Sequence, residues 1–250
     1  VEFGVGGQIN YGARFNGSSS YVDLPLQSLF NPPTKPTVSV SVWFNSSALP
    51  SGNVYIFSDY NGNTNVNIAL NSSGYLVITT QYGSPVVNTQ FTDTTSNLTD
   101  GNWHHVVVTL DNTGATPVRN TYLNNVQIET NQNCGTGGYI TTALVGVSLG
   151  VLTSPANTPL GGYFNGQIDQ VRIFSKALSS DEVSILYAET ACVYDCTTDT
   201  INYPSGTTPV AYYKFDNSAE DETGSYDGTE TNIEYRFGRF GQAAVFNGSS

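Results

Sequence analysis

The residues able to do chemistry are few, and their spacing argues against catalysis. His104 and His105 are the chain's two histidines and stand side by side. In an alternating strand one points inward and the other outward, so they do not share a face. No Gly-x-Ser-x-Gly turn accompanies them, and they read as strand histidines with hydrogen-bond partners. Glycoside hydrolysis needs two carboxyl groups, one as acid and one as nucleophile, about 5 Å apart in a retaining enzyme. Asp181-Glu182 and Glu220-Asp221-Glu222 are contiguous runs on a presumed helix and a presumed loop, not alternate positions of a strand.

Binding chemistry has more candidates. Asp59-Tyr60-Asn61-Gly62-Asn63-Thr64-Asn65 offers oxygens at alternate positions, as a hard cation such as Ca²⁺ requires. It departs from an EF-hand loop, because the glycine comes early and Leu70 occupies the bidentate-acid position. A Gly-Asn turn also explains it without metal. Asp59, Asn61 and Asn63 are therefore candidate Ca²⁺ ligands, together with Asp216, Asp221 and Asp227 further on. Tyrosines in loops could stack on sugar faces, with Asn and Asp fixing hydroxyls. Tyr60, Tyr82 and Tyr139 are the candidates. Asn-x-Ser/Thr sequons occur at Asn16, Asn45, Asn71, Asn97 and Asn247, although a chain rich in Asn, Ser and Thr produces some by composition alone. Cys134, Cys192 and Cys196 permit one disulfide and leave one thiol. With no histidine near Cys192-x-x-x-Cys196, a loop-stapling disulfide is favoured over zinc.

The frame holding these residues is a polar, β-rich chain of 250 residues. Lys and Arg total 8 against 20 Asp and Glu, a net charge of −12, which opposes nucleic-acid binding and docking on anionic membranes. No apolar run reaches the ~20 residues of a membrane-spanning helix. The chain contains no Met and no signal-peptide pattern, and it reads as a processed or excised piece of something longer.

Strand signals dominate. Residues 37–44 (TVSVSVWF) alternate, with Val38, Val40, Val42 and Phe44 on one face and Ser39, Ser41 and Trp43 on the other. Further strands are expected at 75–80, 103–110, 145–149, 211–215 and 244–246. A hairpin is expected over 121–129, turning at Asn124-Asn125. In 167–174, Val171 and Ile173 share a parity that Ile168 does not; a bulge between them restores all three to the core. Ser179-Ser180-Asp181-Glu182 has the spacing of a capping box, and Val183, Leu186 and Tyr187 follow at i, i+3, i+4. That predicts a short helix at about 180–189, packed on a sheet edge. The pattern is an all-β, two-sheet antiparallel jelly-roll sandwich with one short C-terminal helix.

The chain also repeats itself. Phe246-Asn247-Gly248-Ser249-Ser250 restates Phe15-Asn16-Gly17-Ser18-Ser19, 231 positions on. Phe237-Gly238-Arg239-Phe240-Gly241-Gln242 echoes Phe3-Gly4-Val5-Gly6-Gly7-Gln8. The division this implies is a unit over 1–190 that lacks its first strand, a linker over 191–209, and the opening strands of a next unit over 210–250. An unfinished sheet exposes backbone edges, so strand completion between neighbouring copies is expected.

FNGSSSYVDLP (15–25), TVSVSVWF (37–44), the Gly-Tyr-Leu strand (74–76), DGNWHHVVVTLD (100–111), TYLNNVQI (121–128), FNGQIDQVRIFSKALSSDEVSILY (164–187) and AYYKFD (211–216) together resemble the laminin-G-like, concanavalin-A-like jelly roll. The resemblance implies an extracellular, non-catalytic module that binds glycans or proteins and often occurs in tandem, with Ca²⁺ at the sandwich rim in some relatives. It also brings in glucanases of the same fold, which carry a Glu-x-Asp-x-(x)-Glu strand. The nearest match, Gln167-Ile168-Asp169-Gln170, has amides at both flanking positions, which can neither donate an acidic proton nor attack. The leading expectation is a structural or adhesive module of a tandem-repeat extracellular fibre, appendage or virion surface. The alternative is a lectin-like glycan-binding module, and a glucanase-like hydrolase trails both.

Overall fold

The computed structural model describes residues 11–26, 37–60, 66–82, 87–134, 146–154, 158–188, 209–237 and 242–246. Its strands, in chain order, are β1 (Tyr11–Asn16), β2 (Tyr21–Leu24), β3 (Val38–Asn45), β4 (Val54–Tyr60), β5 (Val66–Leu70), β6 (Leu76–Tyr82), β7 (Val87–Thr92), β8 (Trp103–Asp111) and β9 (Val118–Leu123). They continue with β10 (Val126–Asn133), β11 (Gly146–Leu149), β12 (Leu152–Thr153), β13 (Pro159–Gly161), β14 (Asn165–Phe174), β15 (Ala211–Tyr213), β16 (Thr229–Thr231), β17 (Ile233–Phe237) and β18 (Gln242–Phe246). The helix α1 (Ser180–Ala188) lies between β14 and β15.

The strands form a two-sheet antiparallel jelly-roll sandwich. One sheet has nine strands: β1 and β18 each pair with β17, with β14 and with each other, and from β14 the order runs β3-β8-β9-β10, with β15 also on β14; the other has seven, β16-β2-β11-β4-β5-β6-β7. Period-2 alternation dictates the core. Val38, Val40, Val42, Phe44, Val106, Val108 and Leu110 of the larger sheet meet Val22, Leu24, Ile68, Leu70, Leu76, Ile78, Val147 and Leu149 of the smaller. Gly150, at φ +81, lies under the Phe15 ring, and an added Cβ would sit 1.8 Å from that ring, so only glycine fits.

Several local expectations hold. The ladder between β14 and β3 shifts between Asp169 and Arg172, with Gln170 at φ 48. This bulge puts Ile168, Val171 and Ile173 in the core together, all at 0% exposure. Asn124 and Asn125, at φ 49 and 66, make the two-residue turn between β9 and β10. The capping box forms in both directions: Ser179 N donates to Glu182 Oε2 at 2.9 Å, and Glu182 N to Ser179 Oγ at 3.3 Å.

The helix differs in where it packs. It crosses the outer face of the nine-stranded sheet, not a sheet edge. Val183 and Leu186 join Val107, Tyr122, Phe174 and Leu178 in a second apolar cluster. Tyr187 stacks on Trp43 with ring centroids 5.5 Å apart, and His105 stacks on the same indole at 4.7 Å. Val107, Trp43 and Tyr122 are outward-facing apolar residues of their strands, and the helix is what removes them from water.

Residues 211–246 pair with strands of the same chain. β15 lies on β14 (Val171↔Tyr213), β16 on β2 (Glu230↔Val22) and β17 on β1 (Ala13↔Tyr235). Tyr212 and Phe215 are buried in this sandwich. Of the stretch read as a linker, 191–208 lies outside the described residues.

Between the sheets sits one ion pair that the strand pattern does not announce. Arg119 of β9 is fully buried and holds Glu129 of β10 in a fork, Nε–Oε2 2.8 Å and Nη2–Oε1 2.6 Å. Its Nη1 donates to Thr80 Oγ1 of the opposite sheet at 2.9 Å, and Thr121 Oγ1 donates to Glu129 Oε2 at 2.8 Å. Thr80 Oγ1 is also 3.3 Å from Cys134 Sγ. Glu129→Ala strands the guanidinium in the core, and denaturant unfolding should register a loss of about 3–5 kcal/mol. Val126→Ala, at an exposed site of the same strand, should stay within about 0.5 kcal/mol of the parent.

Candidate functional site

With α1 covering part of the larger sheet, the outer face of the seven-stranded sheet is the broad surface left to consider. Inward positions of its strands are apolar apart from Asp59 and Thr80, and the outward positions carry a polar row that crosses all seven strands in register. The row runs Thr229, Asp23, Ser148, Ser58, Asn67, Thr79, Gln90, each paired with the next. Its middle is roofed by the segment leading into the β12–β13 hairpin. Ser58 and Ser148 both donate to Val151 O, at 3.1 and 2.8 Å, and Thr153 Oγ1 donates to Ser148 Oγ at 3.2 Å. The ends of the row, Thr229 and Gln90, are exposed. Asn67 keeps 8% of its surface, and among the described residues its Oδ1 has no hydrogen-bond partner.

Tyrosines flank this row on the same face. Tyr21 precedes Asp23 by two residues, Tyr60 follows Ser58 by two, and Tyr55 pairs with Ala69, two beyond Asn67. Tyr163 is bridged to Tyr55. The Tyr55 ring lies against Gly162, where φ is +70 and a Cβ would come within 2.6 Å of the ring. All four tyrosines are half-buried. Burial, and then the neighbouring Tyr60 phenol, raise the Tyr55 pKa; burial, and then Tyr21, raise that of Tyr163. Tyr55 and Tyr163 therefore stay neutral at physiological pH, and all four rings are partly open to solvent. A row of hydroxyl and amide groups beside such rings can hydrogen-bond to and stack on a sugar.

A second concavity, of about 610 Å³, lies on the other sheet between the start of α1 and the outer face of β8–β10. Thr109, Asn120, Tyr122, Gln127, Lys176 and Glu182 line it. Its amides are engaged with one another: Asn120 Oδ1 accepts from Gln127 Nε2 at 3.0 Å and from Asn131 N at 2.8 Å.

The residues singled out from sequence scatter. Tyr60 belongs to the tyrosine face. Tyr82 ends β6, and Tyr139 lies outside the described residues. Asp59 is fully buried on the inward side of β4, while Asn61 and Asn63 lie outside the described residues. Asp221 is buried and accepts from Tyr212 N (2.8 Å), Thr223 N (3.0 Å), Ser225 N (3.2 Å) and Tyr226 N (3.1 Å), as well as from Thr223 Oγ1. Its carboxylate thus organises the loop after β15. Asp227 accepts from Asp221 N, and Asp216 from Gln242 N. Among the described residues no three His, Cys, Asp or Glu converge as a metal-ligand group. Cys134 is a buried thiol, and Cys192 and Cys196 lie outside the described residues.

Four of the sequon asparagines sit in turns or at strand ends. Asn16 Oδ1 accepts from the amides of Ser18, Ser19 and Ser20; Asn71 Oδ1 accepts from those of Ser73 and Tyr75. Asn45 Nδ2 donates to Gly101 O, and Asn97, exposed, accepts from Thr99. Asn247 lies outside the described residues.

The histidines serve structure. His104 bridges Asp100 (3.0 Å) and Asn124 (3.1 Å), and His105 Nε2 meets Ser41 Oγ at 2.8 Å. Burial acts to raise the Asp100 pKa, but hydrogen bonds from Asn102 and His104 outweigh it and lower it to about 2. Asp169, central to the glucanase-like stretch, is buried in the bulge and accepts from the next backbone amide at 2.8 Å.

Sequence reasoning missed Tyr21, Tyr55 and Tyr163. The alternation in Tyr21-Val22-Asp23-Leu24 marks the first as outward-facing, but nothing local says that these strands are neighbours.

A family model described as the concanavalin A-like lectin/glucanases superfamily, of laminin G type, matches residues 16–184. The chain belongs to this family. No curated protein matches it. Among solved structures it is similar to a Bacteroides ovatus "putative carbohydrate binding protein", with TM-score 0.60 and 18% identity over 96% of this chain and 62% of that one. The chain thus spans less than two thirds of that protein's length. It is also similar to the CBM40 domain of a Ruminococcus gnavus IT-sialidase, solved bound to α2,3-sialyllactose, with TM-score 0.53 and 12% identity over 71% of this chain and 97% of that one. These structural similarities show the shared fold alone.

One prediction concerns Asp59. Burial pushes its carboxyl pKa well above the usual value, with only the Val66 amide acting to lower it. The folded carboxyl then holds its proton where the unfolded one, with pKa near 3.9, has lost it, so stability falls as pH rises from about 4 toward the folded pKa. In calcium-free buffer, Asp59→Asn should raise the melting temperature at pH 7 and flatten the decline above pH 4. A calcium-dependent rise in the parent's melting temperature that the variant lacks would instead reveal a cation on this carboxylate.

Proposed function

We propose that the chain is a non-catalytic, extracellular glycan-binding module whose ligand lies on the outer face of the seven-stranded sheet. Half-buried Tyr21, Tyr55, Tyr60 and Tyr163 beside the in-register polar row carry this reading. The rings supply stacking area, and Asn67, Thr79 and Gln90 supply directional hydrogen bonds. Of the two leading readings left open by the sequence, the carbohydrate-binding neighbours favour this one over the structural module. At the glucanase-like stretch, the amides Gln167 and Gln170 flank Asp169, which accepts from the Gln170 backbone amide in its own bulge.

The recurrence of FNGSS at 15–19 and 246–250 favours a second, compatible role as one unit of a repeated extracellular fibre. Linear polymers of the full-length protein in electron micrographs would support that role, and dispersed single particles at all concentrations would refute it.

Binding is tested on a glycan array, followed by calorimetric titration of the best oligosaccharide. Tyr21→Ala and Tyr60→Ala should each weaken it about tenfold, while Asn120→Ala in the opposite cleft leaves it unchanged. No ligand on the array, or loss only with Asn120→Ala, would overturn the assignment.

A further inference from the structure

Two strands of this chain address one slot. On β17, Tyr11, Gly12 and Ala13 of β1 pair with Phe237, Arg236 and Tyr235. Gln242, Ala243 and Ala244 of β18 pair with those same three residues, in the same order. On β14, Arg14 and Val245 both pair with Gln167. Each of these four matches relates residues 231 positions apart, the offset at which FNGSS recurs in the sequence. Ala13 and Ala244, equivalent under that offset, are also paired with each other in parallel.

Both strands are buried together. Ala13, Phe15, Ala243, Ala244 and Val245 are all at 1% exposure or less. Yet each residue of β17 offers one amide and one carbonyl, so its inner edge can satisfy only one strand at a time. A slot with two matching occupants in every chain always leaves one strand to spare, and that strand fits the same slot elsewhere.

We propose that the slot between β14 and β17 is a strand-exchange joint for a second copy of this chain: β18 of one copy seats in the slot of the next, whose own β1 it displaces. The contacts made between copies are those made within one, so exchange changes chain connectivity and not packing. Within a copy the slot sees its own strands at high effective concentration, so exchange grows with protein concentration. The inference rests on register and sequence and is independent of the glycan reading.

The test uses the full chain. Proline removes the ladder donor at either strand. Ala13→Pro and Ala244→Pro should each be tolerated, because the other strand fills the slot, while the double variant should unfold at far lower denaturant than the two single shifts predict. Separately, a Tyr235→Cys protein is mixed with an Ala244→Cys protein under oxidising conditions and the cross-link is mapped by mass spectrometry. A 235–244 disulfide between chains should exceed that of a Tyr235→Cys and Val126→Cys mixture by about tenfold, and should rise with concentration. Either single proline variant unfolding as readily as the double, or a 235–244 yield no higher than the control, overturns the proposal.

Discussion

Strand β14 is the piece on which the sandwich depends. One edge pairs with β3 along its length. On the other edge, residues 165–167 meet β1 and β18, and residues 171–173 meet β15. The change of partner falls across the bulge at Gln170. In a regular strand without the bulge, Ile168 and Val171 would lie on opposite faces, and one half of the strand would bury its polar side. With it, Arg172 and Gln170 face outward together. Arg172 Nη2 reaches Gln170 Oε1 at 2.8 Å, and the guanidinium carbon sits 4.6 Å from the Tyr212 ring centroid. That contact ties the late segment 211–215 to the first sheet.

The two outer faces have different fates, and the difference begins in side-chain type. On the nine-stranded sheet, outward positions include Trp43, Val107 and Tyr122, which need cover; the capped helix, with Val183, Leu186 and Tyr187 on one side, supplies it. On the seven-stranded sheet, outward positions are mainly Ser, Thr, Asn, Gln, Asp and Tyr, which tolerate water, with Ala69 and Val77 among them. That surface is covered at its middle, over Ser58, Ser148 and Asn67, and is exposed at the ends of the row, Thr229 and Gln90.

At the far edge, the Arg119–Glu129 fork joins β9 to β10 and, through Thr80, one sheet to the other. Burying two charges costs several kcal/mol each in desolvation, offset only when every donor is met. Thr80 accepts from the guanidinium, and Thr121 donates to the carboxylate. The network fixes which residues of β6 and β9 face each other, a constraint that apolar contacts alone leave loose.

Much of the fold was legible locally. Alternation in 37–44 and 103–110, the paired asparagines at 124–125, the Ser-x-x-Glu cap and the parity break at 168–171 each specify backbone geometry within a few residues, and each is realised. Sequence by itself also displays FNGSS twice, 231 positions apart. It could not show that α1 crosses a sheet face, that Arg119 finds Glu129 and Thr80, or that Asp23, Ser148, Ser58 and Asn67 form a line. Those depend on which strands become neighbours. Strands distant in sequence pair because both sheets must bury their apolar faces at once, a condition set by the whole chain and visible in no single segment of it.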